Sequence, residues 1–395
     1  MSEAEMLNNI HLEKGKTYYD KGEYQESIKE YEKALKESKD IYIAWIFLGK
    51  AHGKLGEHKK SIDCYQKAMD IDATQADAWV LMGGSYYYLG KYKEAIDCYH
   101  HAAEIKPDNA DTWLLMGVVY STLDKHEKTI DCFQKALDIN PNDSDAWYGM
   151  GLVYEELFMH TKAIECFQNS LEITPVFSDP WYKMGIAYSK LGEHQNAVNC
   201  YHQVLKINPE DTITWYDMGI AYGELGEYNK AIEWYEKFLE VKSGNSDLWY
   251  NLGDAYYHLG EYNKAVDFYQ KVLKINPESA KAWYNVGEAY GKLGDRDKAI
   301  EYCQKAVELN PRNTDPWNLI GQLYYNLGEY EKAVKYYQQA LNIEPENAKS
   351  WELLGIACEA LNEFKKAIKY YGKALELDPE LVLAKRNLEI LESIQ

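Results

Sequence analysis

Residues 246–279 read SDLWYNLGDAYYHLGEYNKAVDFYQKVLKINPES, and residues 280–313 read AKAWYNVGEAYGKLGDRDKAIEYCQKAVELNPRN. Aligned without a gap, these 34-residue stretches share Trp at position 4, Gly at 8, Tyr at 11, Gly at 15, Ala at 20 and Pro at 32. Positions 4, 8 and 11 fall at i, i+4 and i+7, one face of a helix. Positions 20, 24 and 27, as in Ala265, Tyr269 and Val272, mark the same face of a second helix. Gly at position 15 suits a left-handed turn between the two, and Pro at position 32 ends the second helix. Each stretch therefore predicts a helix-turn-helix.

The pattern extends over nearly the whole chain. Ten of the eleven Trp residues, from Trp45 to Trp351, stand 34 residues apart without insertion or deletion. Running the frame back places a first unit at Asn8, with His11 where Trp would be. Eleven units then begin at 8, 42, 76, 110, 144, 178, 212, 246, 280, 314 and 348 and cover 8–381. Position 8 is Gly in all eleven, position 11 is Tyr in nine, position 15 is Gly in eight and position 32 is Pro in eight. Position 20 is Ala or Ser in ten. A Gly inside a helix costs about 1 kcal/mol against Ala, so its recurrence at position 8 implies a close helix–helix approach. Ala at position 20 is expected to meet it from the other side. Position 34 offers the capping residues Asn109, Asp143, Asp211, Asn245, Ser279, Asn313 and Asn347.

The ends depart from the pattern as solenoid ends do. Residues 1–7 form an N-terminal extension, and the first unit carries polar His11 and Lys14. In 382–395, Lys385 and Glu389 take the Trp and Gly places while an apolar rhythm persists, which predicts a C-terminal capping helix. On this reading the array is complete.

With 43 Lys and Arg against 63 Asp and Glu, the net charge is −20. Such a field opposes phosphate backbones and anionic membranes and favours basic partners. No stretch has the length of a membrane span, and residues 1–16, without a basic n-region or an apolar h-region, are not expected to act as a secretory leader. Seven cysteines without framework spacing predict free thiols and a cytoplasmic location.

Several motifs invite chemistry and fail its geometry. Cys64, Cys98, Cys132, Cys166 and Cys200 all occupy position 23. Equivalent helices should lie about 10 Å apart, whereas a disulfide needs Cα atoms within about 7 Å. They read as core, as do Met82 to Met218 at position 7. Cys98, His100 and His101 cannot converge tetrahedrally on a metal. GKAHGKLG, near Gly49, lacks the spacing and the hydroxyl of a phosphate loop. No catalytic residues, cofactor or metal are expected. Lys recurs at positions 19 and 26 on one outward face, with Asp63–Lys67, Asp131–Lys135 and Asp267–Lys271 as helix pairs. The inner face is therefore expected to carry excess acid.

The spacing and residue pattern resemble the tetratricopeptide repeat superfamily, and the long acidic, Tyr-rich array looks like those of methanogenic archaea. The resemblance implies an all-α solenoid: a right-handed superhelix of eleven helix-turn-helix repeats with a capping helix. It also implies that positions 2, 5, 6, 9, 12 and 13 of the first helices line a concave groove. Position 5 is Tyr in five consecutive units: Tyr148, Tyr182, Tyr216, Tyr250 and Tyr284. Position 2 supplies Asp111, Asp145, Asp179 and Asp247, and position 9 runs Leu152, Ile186, Ile220, Asp254, Glu288. Tyr offers contact area at small rotamer cost, so these residues form an expected peptide-binding surface. Asp in a first helical turn equally suits the helix dipole, and the Tyr column equally suits the family's habit. The chaperone-tail clamp of the family, with Lys at position 5 and Asn at position 9, is absent. Of a position-6 Asn ladder like that of sugar-transferase relatives, only Asn251 and Asn285 match. The expected function is a non-catalytic scaffold for protein or peptide segments, basic and apolar ones in particular. The alternative is a self-associating structural array, with an enzyme a distant third. Truncating Tyr182, Tyr216 and Tyr250 together to Ala is expected to weaken binding by well over about tenfold while leaving helicity and melting nearly unchanged.

Overall fold

A computed structural model describes residues 3–394, with side chains over residues 9–393. Two compact units divide the chain, Met1–Pro209 and Glu210–Gln395. The first holds α1 (Glu3–Asp20), α2 (Tyr24–Glu37), α3 (Tyr42–Lys54), α4 (His58–Ile71), α5 (Ala76–Tyr88), α6 (Tyr92–Ile105), α7 (Ala110–Thr122), α8 (His126–Ile139), α9 (Ser144–Glu156), α10 (His160–Ile173), α11 (Ser178–Lys190) and α12 (His194–Ile207). The second holds α13 (Thr212–Glu224), α14 (Tyr228–Val241), α15 (Ser246–His258), α16 (Tyr262–Ile275), α17 (Ala280–Leu293), α18 (Arg296–Leu309), α19 (Thr314–Asn326), α20 (Tyr330–Ile343), α21 (Ala348–Ala360), α22 (Phe364–Leu377) and α23 (Val382–Ile394). Among the described residues there is no strand. Each unit is an all-α solenoid of stacked hairpins.

The core follows the two helical faces read from the sequence. Ala265, Tyr269 and Val272 are buried on α16, and Met82, Met116, Met150, Met184 and Met218 are buried on their first helices. The glycine at position 8 meets a different partner from the one expected. A Cβ on Gly253 would lie 2.5 Å from Cε1 of Tyr269, and one on Gly219 would lie 2.4 Å from Cε1 of Tyr235. The glycine makes room for the aromatic ring at position 24, not for the Ala at position 20. Unit nine is the exception: Gly287 faces the sulfur of Cys303 and the backbone oxygen of Ala299.

The turns confirm the punctuation. Gly226 and Gly260 adopt φ of 74° and 78°, and Asp124, Phe158 and Asn362 hold the same left-handed place at 53°, 56° and 60°. All seven capping residues named from position 34 accept a backbone N–H at their helix start. The indole N–H of Trp113, Trp147 and Trp283 donates to the carbonyl oxygen of Pro107, Pro141 and Pro277, at 3.0, 3.0 and 2.8 Å. Position 4 thus fastens the loop that enters its own repeat.

Of the three helix pairs expected at i, i+4, Asp131–Lys135 forms, at 2.8 Å. Lys67 and Lys271 instead lie over the rings of Trp45 and Trp249, 4.4 and 4.3 Å from the centroids. The ring face offers the ammonium a negative quadrupole beside the helix. All seven cysteines are free and buried. Among the described residues no group of His, Cys, Asp or Glu could hold a metal ion, and no helix is long and apolar enough to cross a membrane.

Candidate functional site

The position-5 tyrosines face inward more than a pure contact stripe would. Four of the five pack on the position-24 ring of their own hairpin. In the first unit, Tyr148 lies 5.9 Å from Phe167 and Tyr182 lies 6.1 Å from Tyr201. In the second, Tyr216 lies 6.0 Å from Tyr235 and Tyr250 lies 5.7 Å from Tyr269. Tyr284 is likewise half-buried, beside the cluster around Cys303 and Ile320. The rings therefore wall the core on one side and remain partly open on the other. Truncating them removes core contacts, so the expected indifference of melting to such truncation does not survive the packing.

Tyrosine and aspartate columns interleave. Burial pushes the Tyr148 hydroxyl up to about 12, with the carboxylate of Asp179 the next cause. Burial also raises Tyr216, helped by Asp247, and raises Tyr284, helped by Glu288 and Asp315. A position-5 phenol thus sits close to the position-2 carboxylate of the following hairpin. Asp111, Asp145, Asp179 and Asp247 are all exposed. Leu152 and Ile186 in the first unit and Ile220 in the second are half-buried.

Around Asp254 the second unit builds a polar network. The Tyr269 hydroxyl donates to Asp254 Oδ1 at 2.6 Å, and Asn285 Nδ2 donates to the same oxygen at 3.3 Å. Asn285 Nδ2 also reaches the Tyr250 hydroxyl at 2.7 Å, and Asn251 Nδ2 reaches the Tyr216 hydroxyl at 3.2 Å. Desolvation raises the carboxyl of Asp254 above its usual range, with the Tyr269 hydrogen bond opposing. Glu288 stands beside Tyr257 and helps hold its phenol proton. A cleft of about 270 Å³ opens here, lined by Ile220, Glu224, Tyr235, Asn251, Asp254 and His258 among others. Its two carboxylates, aromatic wall and amide donors can receive a cationic group together with an apolar one.

The sequence reading missed cations on the inner positions. Lys281 Nζ lies 4.3 Å from the Tyr250 ring centroid, and Lys183 pairs with Glu155 at 3.2 Å. Both occupy inner-face positions, so Lys is not confined to the outside. The signal was present, since Lys281 stands where six other units carry Asp.

Family models match along the chain. A model described as Tetratricopeptide repeat matches residues 110–143, 178–211, 246–279 and 280–313. Others of the same description match 314–380 and 132–165, and one described as TPR repeat matches 83–124 and 221–260. Residues 20–102 match the model of anaphase-promoting complex, cyclosome, subunit 3. No curated protein matches the chain. Among solved structures, MamA is 25% identical, covering 40% of this chain and 93% of that one, with a TM-score of 0.39. YrrB, described as a TPR protein with an unusual peptide-binding site, is 24% identical over 47% of this chain and 95% of its own, with a TM-score of 0.40. The Cut9–Hcn1 hetero-tetramer structure is 15% identical over 97% and 96%, with a TM-score of 0.47.

Proposed function

Because the chain belongs to the tetratricopeptide repeat family, we propose that it is a protein-interaction scaffold whose first helices hold protein segments carrying Lys or Arg beside an apolar anchor. The observation that carries this reading is the cleft of the second unit, where Glu224 and Asp254 stand beside Tyr235 and Ile220. Carboxylates there steer a cation by forces that weaken with salt. Aromatic faces add apolar area and cation–π attraction of about 0.5–2 kcal/mol. Tyr148 and Tyr182, with Asp111, Asp145 and Asp179, offer related chemistry in the first unit. The work is binding, with no bond made or broken, and a cytoplasmic setting goes with free thiols.

A fluorescent peptide of sequence Gly-Lys-Lys-Leu-Phe-Lys-Lys-Gly tests this by anisotropy. Glu224→Gln removes an exposed carboxylate of the cleft and Asp247→Asn the exposed carboxylate beside Tyr216, both without touching the core. The double variant should bind at least about tenfold more weakly, a loss of about 1.4 kcal/mol. Unchanged affinity would remove the acidic cleft from the mechanism. Self-association is the competing reading, and a concentration-dependent mass in light scattering, without peptide binding, would favour it.

A further inference from the structure

The first unit contains a cleft of the opposite chemistry. It is about 560 Å³, formed chiefly by α3 and α5, with Tyr19 of α1, His58 and Tyr65 of α4, Tyr99 of α6 and Leu115 of α7 completing it, and no carboxylate lines it. Its aliphatic walls are Val80, Leu81 and Leu115, and the stacked rings of His58 and Tyr88 close one side. Its depth comes from two glycines at inner-face positions: Gly53 stands where another repeat carries Tyr257, and Gly84 where another carries Asp254. A Cβ on Gly84 would meet nothing nearer than the Tyr99 hydroxyl at 3.8 Å, so open space stands above it. Gly53 leaves its neighbour Ser61 Oγ only 3.3 Å from a Cβ position. The floor is thus bare backbone and phenol.

Lys50 and Lys54 stand at the rim. The nearby carboxylate of Glu57 is already engaged by His52 at 2.6 Å and Lys60 at 3.0 Å. Neither Lys50 nor Lys54 has a carboxylate within ion-pair distance among the described residues, and Lys50 lies 5.2 Å from the Phe47 ring centroid. In a chain of net charge −20, a carboxylate-free apolar cleft with two ammonium groups unpaired with carboxylates is a local inversion of the field.

We infer that this cleft is a second peptide site, taking a large apolar side chain flanked by carboxylates. The apolar walls bury the anchor, the glycine floor admits its depth, and the two lysines meet the flanking acids. A second copy of this chain is the poorer occupant, because two bodies of charge −20 repel on approach. The inference deepens the scaffold reading: the first helices offer two sites of opposite charge preference, one in each unit.

The test uses the full chain and two labelled probes, Gly-Glu-Glu-Leu-Phe-Glu-Glu-Gly and its lysine counterpart. Gly84→Leu fills the open space and raises helix propensity, so the variant folds. Lys50→Glu with Lys54→Glu inverts the rim. The acidic probe should bind the wild type, lose at least about tenfold in each variant, and keep its affinity in Glu224→Gln/Asp247→Asn. The lysine probe should ignore Gly84→Leu. Loss of the lysine probe's binding alone would defeat the acidic-cleft reading and leave this one standing. Acidic-probe binding that is absent, or indifferent to both unit-one variants, overturns the inference. So does a wild-type dimer that Gly84→Leu dissolves while neither probe binds, since that gives the cleft to a second copy.

Discussion

Trp351 donates its indole N–H to the carbonyl oxygen of Pro345, six residues upstream, at 2.8 Å. The same bond recurs at Trp317 and Pro311, at 3.1 Å. It joins the residue that ends one repeat to the first helix of the next, which explains why Trp and not Phe recurs at position 4. Trp79 supplies the contrast: its indole nitrogen is buried without a hydrogen-bond partner, while its ring lies against His101. Trp283→Phe should therefore cost about 0.5–1.5 kcal/mol, and Trp79→Phe distinctly less. Paired thermal melts decide it, and equal losses at the two positions would deny the bond its role.

Gly219→Leu should destabilise by about 1–3 kcal/mol or more through overpacking. Tyr235, whose ring edge would lie 2.4 Å from the new Cβ, is buried and cannot swing away. Gly84→Leu, placed over open space, should melt at or above the wild-type temperature. A melting curve unchanged in Gly219→Leu would contradict the ring-over-glycine packing.

These two cases show what the sequence could and could not convey. The 34-residue period, the capping residues at Asn245 and Asn347 and the left-handed turn at Gly260 depend on local chemistry, and each was readable. The partner of Gly253 was not, because position 20 and position 24 lie on the same face of α16 and only the packed geometry chooses the ring. The Tyr250–Asn285 hydrogen bond spans 35 residues. It needs the stacking offset of adjacent hairpins, which no spacing rule supplies. The unit-one cleft was hidden for a simpler reason. Gly53 and Gly84 signal by what they lack, and a column of side chains shows only what it carries.

The thiols should be inert. Burial pushes Cys64 and Cys132 up to about 11 and Cys98 and Cys200 up to about 12. A thiol so raised is almost wholly protonated at pH 8, and the thiolate is the nucleophile. Iodoacetamide at pH 8 should leave the native chain unlabelled by mass and add seven groups once it is denatured. Rapid labelling of any position-23 cysteine in the native chain would show that its helix is not packed as described.

Asp254 sets a pH dependence. Its folded-state carboxyl is raised by desolvation, so the ionised form carries a penalty at neutral pH. That penalty disappears as pH falls through the raised value and below the unfolded value of about 3.9. Asp254→Asn should therefore melt higher than the wild type at pH 7, and the gap should close as the buffer is brought to pH 4 and lower. A gap that widens on acidification would reverse the sign of the argument.

Segments are expected against the first helices and not against the Lys-bearing second ones. A benzoylphenylalanine in place of the Phe of the lysine probe, photolysed on the full chain, reports the contact surface directly through mass spectrometry. Adducts are expected in α13, α15 and α17, near Tyr216, Tyr250 and Tyr284. Adducts concentrated instead on α14 and α16, around Lys230, Lys237, Lys264 and Lys271, would contradict that placement.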